Sequence, residues 1–276
     1  MPTDDTTGLD HSTVLVTRPR HQTEELSALI AAAGAGVIHF PVLEIVPLSP
    51  DNAGADIIEQ LDTADIAIFI SANAVEQADI RVRQQLGQWP AQLQLAVVGR
   101  SSAQALARAG LRVDICPEHG FNSEALLALP AMQQVRDKRI VIFRGQGGRE
   151  KLAAELRQRG ARVDYVEVYR RQRPKGDLSP LRQDGQLGRI SAIIIASNES
   201  LQNLYDLAGT ADRDWLLNTP LAVISRRCAE LAQQLGFRHY NIAKEASNQG
   251  LFEAVQQYTE MAPSKRDPES GNDRAT

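Results

Sequence analysis

The sequence predicts an α/β protein organised as two lobes around parallel sheets, and three observations carry that prediction. Short β-branched runs alternate along the chain with segments of helical spacing, the βαβ signature of a parallel sheet. The 276 residues, 43% of them hydrophobic, suffice for one large or two medium α/β domains with properly buried cores. The chain also matches itself once, at a spacing near half its ordered length, which points to an internal duplication.

The elements follow in order. Val14-Leu15-Val16 reads as the first strand, and Leu26, Leu29, Ile30 and Ala33 then fall on one face of a helix that Gly34 ends with a left-handed C-cap. Further strand runs are Ile66 to Ile70, Leu95 to Val98, Ile140 to Phe143, Ala192 to Ile195 and Leu221 to Ile224. The repeat is visible in shared positions. Arg18 matches Arg144, Leu26 matches Leu152, Gly34 matches Gly160, Ala103 matches Ala229 and Gly110 matches Gly236, each 126 residues on, while Asn73 matches Asn198 at 125. Met1 to Ser12 and Ala262 to Thr276 read as flexible tails that bury almost nothing.

Composition removes several classes of function. Thirty Lys and Arg against 34 Asp and Glu give a net charge of −4, which argues against a sequence-independent nucleic-acid binder. The two cysteines, Cys116 and Cys228, have no CxxC and no paired His ligands, so neither a disulfide framework nor a metal site is expected, and both read as buried thiols. No apolar run approaches the roughly 18 residues that span a bilayer, and the first residues lack an apolar leader, so a cytoplasmic protein is expected. Gly145, Gly147 and Gly148 do not complete GxGxxG because Glu150 stands at the last position, and GxxxxGK[ST], GxSxG and HExxH are all missing. No cofactor is expected.

The residues that can carry chemistry are those just after the strands, because open parallel sheets bind ligands outside their carboxyl edge. Six such loops are rich in small, hydroxyl-bearing and glycine residues. Their candidate binding residues are Thr17 and Arg18; Ser71, Ala72 and Asn73; Gly99 and Ser102; Arg144 and Gly145; Ser197 and Asn198; Ser225 and Cys228. Such loops allow close approach of backbone to an anion, with charge-assisted hydrogen bonds from side chains. Each Ser or Asn taken singly also reads as the cap of the next helix, and recurrence in both halves is what favours a shared site. Two lobes with anion-friendly loops suit an elongated polycarboxylate.

These residues also carry a family resemblance, from about Val14 to Gln257. The ordered series Val14-Leu15-Val16-Thr17-Arg18-Pro19, Pro41-Val42-Leu43-Glu44-Ile45, Phe69-Ile70-Ser71-Ala72-Asn73-Ala74-Val75, Val97-Val98-Gly99, Phe121 to Leu127, Val168-Tyr169, Ile195-Ala196-Ser197-Asn198 and Ala246 to Leu251 resembles the uroporphyrinogen-III synthases. The resemblance implies two flavodoxin-like, Rossmann-like lobes joined by a two-stranded β connector. One lobe takes residues 13–40 plus 174–261 and the other 44–166, with 41–46 and 167–173 as connector strands and 1–12 and 262–276 as tails. A simple tandem arrangement is the topological alternative.

The resemblance implies a substrate, hydroxymethylbilane, closed to uroporphyrinogen III with loss of water and inversion of ring D through a spiro intermediate. It implies a monomer that uses no cofactor and allows a transient hand-over from hydroxymethylbilane synthase, with no nucleic-acid or membrane partner. Tyr169 matches the family's tyrosine beside the cleft, thought to assist departure of the hydroxyl, since a phenol is protonated at neutral pH and donates a hydrogen bond untuned. A tyrosine that packs its ring between the lobes fits the sequence equally. The family usually carries glycine, proline and then threonine in the last loop, whereas this chain has Ser225-Arg226-Arg227-Cys228, so Cys228 stands where a substrate-binding hydroxyl is often assigned. A non-enzymatic two-lobed polycarboxylate-binding protein is the reading from a different class, with export signals then expected.

Overall fold

A computed structural model of the chain describes residue 9 and residues 12–19, 22–48, 52–148 and 150–261. It divides into two compact units. One comprises the residues up to Glu44 together with those from Arg173 onward, and the other is Ile45–Gln172.

The chain opens in the first unit with β1 (Thr13–Val16), α1 (Glu24–Ala32) and β2 (Gly36–His39). It then runs through β3 (Glu44–Pro47), α2 (Asn52–Glu59), β4 (Ile66–Phe69), α3 (Ala72–Leu86), β5 (Gln94–Val97), α4 (Arg100–Arg108), α5 (Ser123–Ala128), α6 (Pro130–Gln133), β6 (Arg139–Gly145), α7 (Lys151–Gln158) and β7 (Arg162–Gln172). It completes the first unit with α8 (Arg182–Gln186), β8 (Ala192–Ile195), α9 (Asn198–Leu207), α10 (Thr210–Asn218), β9 (Leu221–Val223), α11 (Arg226–Gln234), β10 (Tyr240–Ile242) and α12 (Asn248–Met261).

In the first unit the sheet order is β2-β1-β8-β9-β10 with every neighbouring pair parallel. Counted by the unit's own strands this is 2-1-3-4-5, the doubly wound flavodoxin order. Side-chain alternation divides each strand between two cores. Leu15, Ile193, Ile195, Leu221 and Val223 face one helical layer, while Val14, Val16, Ala192, Ile194 and Ala222 face the other. Both faces are covered, which is why these strands read as unbroken apolar runs. The stretch expected to be an N-terminal tail holds an exception, since Leu9 is fully buried in the second of these cores. Apart from Leu9 and Ser12, both expected tails lie outside the described residues.

The second unit has the order β3-β7-β6-β4-β5, with the pairs β7·β6, β6·β4 and β4·β5 parallel and Ile115 bridging alongside Ala96 beyond β5. Its two cores alternate in the same way. Ala67, Phe69, Val141 and Phe143 point to one layer and Ile66, Ile68, Ile140 and Ile142 to the other. Stacking of Phe69 on Phe143 at 5.3 Å, with the Trp89 ring edge-on to both, fills the first. Of the segments expected to form a connector, 41–46 and 167–173, residues 44–46 lie in β3 and 167–172 at the end of β7, side by side at the edge of this sheet. Buried Arg81 ties them by donating to the carbonyls of Leu48 and Glu167.

Residues 126 apart occupy corresponding strands: Val14 on β1 and Ile140 on β6, Val37 on β2 and Val163 on β7, Ile66 on β4 and Ala192 on β8, Ala96 on β5 and Ala222 on β9. Without β3, the second sheet reads β7-β6-β4-β5-Ile115, the same order as the first. For the first two pairs the earlier strand lies in the first unit, and for the last two it lies in the second. Strands 126 residues apart in sequence therefore lie in different units. No helix among the described residues is long and apolar enough to cross a membrane.

Candidate functional site

Parallel strands bring all their carboxyl ends to one edge, so each unit collects its loop residues there. In the first unit Thr17 follows β1, fully buried, and its Oγ1 donates to the carbonyl of Ile194 at 2.8 Å, fastening the ends of β1 and β8. Arg18, in the same loop, is half-buried. Its Nη1 donates to Asn248 Oδ1 at 2.6 Å, and Asn248 Nδ2 donates in turn to Glu25 Oε2 at 2.6 Å. Burial lowers the Arg18 guanidinium's pKa from its ordinary value, with the Glu25 charge acting against that shift.

Ser197 and Ser225 open α9 and α11. Ser197 Oγ accepts from the Ser200 N–H at 3.0 Å and Ser225 Oγ from the Cys228 N–H at 3.3 Å, the side-chain caps that the sequence allowed. Asn198 Nδ2 donates to the carbonyl of Arg227 at 3.3 Å, so the loops after β8 and β9 are linked. The Cys228 side chain is not presented at this edge. It is fully buried in the core that also holds Leu201, Leu221 and Ala229, and burial pushes its thiol up to about 11. The expectation that it replaces a contacting hydroxyl is therefore corrected: an apolar sulfur at this position packs into the core.

In the second unit the edge is built around Tyr169. The side chain is 2% exposed, and its phenol oxygen lies 3.0 Å from Ser71 Oγ. Ser71 also caps α3 by accepting from the Ala74 N–H at 3.1 Å, so the hydroxyl that fixes the helix start also fixes the phenol. Ala72 and buried Asn73 form the first turn of that helix. Gly145 pairs with Tyr169 across β6 and β7, and the Gln146 N–H donates to the Tyr169 carbonyl at 2.7 Å. Gly99 opens α4 without a side-chain cap, and Ser102 one turn later is buried.

Arg144 departs from the expectation of a guanidinium open to a ligand. Its side chain is 9% exposed and pairs with Glu150 Oε1 at 2.9 Å and Glu167 Oε1 at 3.2 Å, while stacking on the Tyr165 ring at 4.0 Å. Burial alone lowers its pKa, but the hydrogen bonds it donates to Glu150 and Glu167 outweigh this and raise it. Tyr165 donates to Glu150 Oε2 at 2.7 Å, and burial with that carboxylate pushes the phenol up to about 12. One cation set between two carboxylates leaves this cluster saturated from within the protein.

The structure adds residues that were not among the candidate site residues: Asn248 and Glu25 in the first unit, and Arg100, Phe121, Asn122, Glu150 and Glu167 in the second. A signal existed for one pair. Asn122 and Asn248 are 126 residues apart, like Arg18 and Arg144, and Asn122 caps α5 by accepting from the Ala125 N–H at 2.8 Å. Phe121 sits beside it with φ +35° and its side chain 38% exposed, and the Arg100 guanidinium lies over its ring at 4.6 Å. A surface hollow lined by Thr63, Asp65, Arg139, Arg162 and Asp164 lies at the opposite, amino end of the second sheet. Arg139 there already forms an ion pair with Asp164 and a hydrogen bond to the Thr63 hydroxyl, so its guanidinium is engaged within the protein.

Comparison with known proteins gives this architecture its relatives. The family model described as Uroporphyrinogen-III synthase HemD matches residues 24–253. A protein of Escherichia coli (strain K12) named Uroporphyrinogen-III synthase is 34% identical over 244 residues, 88% of this chain and 99% of its own length. A Synechococcus elongatus protein of the same name is 32% identical over 257 residues, 89% of this chain and 95% of its own. Among solved structures, a mutant uroporphyrinogen III synthase from the extremely thermophilic bacterium Thermus thermophilus aligns over 91% of this chain and 100% of its own, with a TM-score of 0.57 at 20% identity. Uroporphyrinogen-III synthetase from Helicobacter pylori 26695 aligns over 89% of this chain and 99% of its own, with a TM-score of 0.56 at 13% identity. These two share the fold, while the matched family model and the relatives at about a third identity over nearly full length establish that the chain belongs to the uroporphyrinogen-III synthase family.

Proposed function

We propose that this chain closes hydroxymethylbilane to uroporphyrinogen III, acting as a lyase that eliminates water and inverts ring D. Membership of the family over residues 24–253 is the observation that carries the reading. The chemistry requires three things of the protein. The terminal hydroxyl must leave as water, taking a proton, and the resulting conjugated cation must be kept from solvent water. The flexible chain must be folded so that the substituted carbon of the last ring attacks first, giving the spiro intermediate whose fragmentation and reclosure invert that ring. Because in unguided closure the unsubstituted carbon of the last ring attacks the cation instead, holding the chain in one conformation is the larger task. The reaction moves no net electrons, so no electron carrier enters it.

The groups offered for these tasks are those at the two sheet edges. The first turns of α3, α4, α9 and α11 supply backbone N–H groups, with Arg18, Ser71, Asn73, Ser197, Asn198 and Ser225 around them, as donors for carboxylates. Thr17, Ser102 and Cys228, being buried, act through the backbone they hold in place. Tyr169 is the proposed donor to the departing hydroxyl, oriented by Ser71 at 3.0 Å. We infer that the chain works as a cytoplasmic monomer and takes its substrate as it is released by hydroxymethylbilane synthase.

The test is a coupled assay that generates hydroxymethylbilane in place and resolves the uroporphyrin isomers after oxidation. Isomer III above the level without the protein supports the proposal, and only isomer I would sink it. Tyr169→Phe is expected to lower kcat by about one to three orders of magnitude with little change in fold.

A further inference from the structure

We propose that Arg100, held over the ring of Phe121, is a binding position for a carboxylate carried by a pyrrole ring. This rests on the function proposed above and assigns part of the substrate to it.

Arg100 begins α4, directly after β5, and so stands at the carboxyl edge of the second unit's sheet. Its side chain differs in kind from that of Arg144, at the end of the neighbouring β6. Arg144 is buried and paired with two carboxylates, whereas Arg100 is exposed and, among the described residues, has neither an ion pair nor a hydrogen-bond partner for its guanidinium. What holds it is the Phe121 ring, 4.6 Å from the guanidinium carbon. An exposed arginine is ordinarily free to swing. Stacking on an aromatic face restricts it before any ligand arrives, so less side-chain entropy is lost on binding, and its planar fork stays available to a carboxylate.

Three local features converge on placing that ring. Phe121 keeps φ at +35°, a region where an aromatic residue is strained and a glycine is not. Gly99 leaves room for it, because a Cβ at Gly99 would lie 3.2 Å from Phe121 Cβ. Asn122, the next residue, is committed to capping α5, which fixes the backbone immediately after the ring. Even so, Phe121 contributes little to the core, since 38% of it remains exposed. Strain retained to hold an aromatic residue at the surface has no packing return, and among the described residues the charged group over its ring is Arg100. An aromatic surface beside a fixed guanidinium matches a flat, electron-rich pyrrole bearing a carboxylate side chain, ring against ring and carboxylate against fork. Arg100 is thus a binding residue and Phe121 a positioning residue that acts through it.

The experiment uses the full chain in the isomer-resolved assay, with melting followed in parallel. Arg100→Gln is expected to raise KM about tenfold and to leave kcat within about twofold, the loss of one charge-assisted contact. Arg100→Lys, which keeps the charge but loses the planar fork, should recover only part of that. Phe121→Gly separates placement from packing: relief of the positive φ should leave the melting temperature unchanged or higher while KM rises, and it should add nothing in the Arg100→Gln background. A wild-type chain that forms no isomer III would overturn the parent reading. An active wild type whose Arg100→Gln variant keeps its KM, or whose Phe121→Gly variant melts lower with KM untouched, overturns this inference alone.

Discussion

A Cβ built on Gly145 falls 2.6 Å from Cζ of Tyr169 and 3.0 Å from its hydroxyl oxygen, well inside van der Waals contact. The glycine is therefore required by the tyrosine beside it on the next strand, whichever ligand the loop serves. Gly145→Ala is expected to destabilise the protein by about 1–3 kcal/mol in urea unfolding, the cost of overpacking a filled site. In a Tyr169→Ala background the same substitution should cost much less, because the clash is with that ring; equal costs in both backgrounds would show that strand geometry and not Tyr169 imposes the glycine. Sequence reasoning placed both residues near a site, but the contact between them depends on β6 and β7 pairing in register, which local pattern does not encode. The same holds for Cys228. Its position in a loop rich in polar residues suggested ligand contact, while its side chain follows the inward face of α11 into the core.

At the scale of elements, the helix starts were the most legible features, because a Ser or Asn cap acts within three residues of itself. Ser71, Asn122, Ser197 and Ser225 all accept from the N–H three residues on. The pairing of α8 with α10 was not legible. There Asp212, fully buried, receives Arg182 through Nε at 2.8 Å and Nη2 at 2.9 Å, with Trp215 Nε1 at 3.2 Å. Removing the carboxylate charge strands the donors, but the Arg182 side chain is 39% exposed and water screens part of the loss. Asp212→Asn should therefore cost about 1–3 kcal/mol at neutral pH. The Arg182 hydrogen bond holds the Asp212 pKa below its usual value. A lowered folded-state pKa contributes stability above the unfolded value of about 3.9, and that stability is lost as pH falls through the folded value. The gap between wild type and Asp212→Asn in urea midpoints should accordingly narrow as pH drops below about 4; a gap that is constant from pH 7 to pH 3 would count against the charge pairing.

At the scale of the whole molecule, the repeat and the structural units do not coincide. We infer a duplication, from the matching strand orders of the two sheets and the residues 126 apart at corresponding places, with β1 and β2 of the first copy and β8, β9 and β10 of the second completing one unit. The consequence is testable by dissection. Residues 44–172, one continuous segment, should unfold cooperatively when expressed alone, whereas either sequence half cut between Lys138 and Arg139 should not, since each half would leave two incomplete sheets. Cooperative unfolding of a half and not of the segment 44–172 would overturn the unit boundaries at Glu44 and Gln172. By itself the sequence determined the class of fold, the apolar strands, the capped helix starts and the family, because periodicity, caps and loop composition are properties of neighbours in the chain. Tertiary structure alone decided which strands share a sheet, which arginine is consumed by carboxylates and which stays open, and which loop side chains turn inward. Those outcomes arise from contacts between residues far apart in sequence, where strand register and competition among nearby charges select the partner.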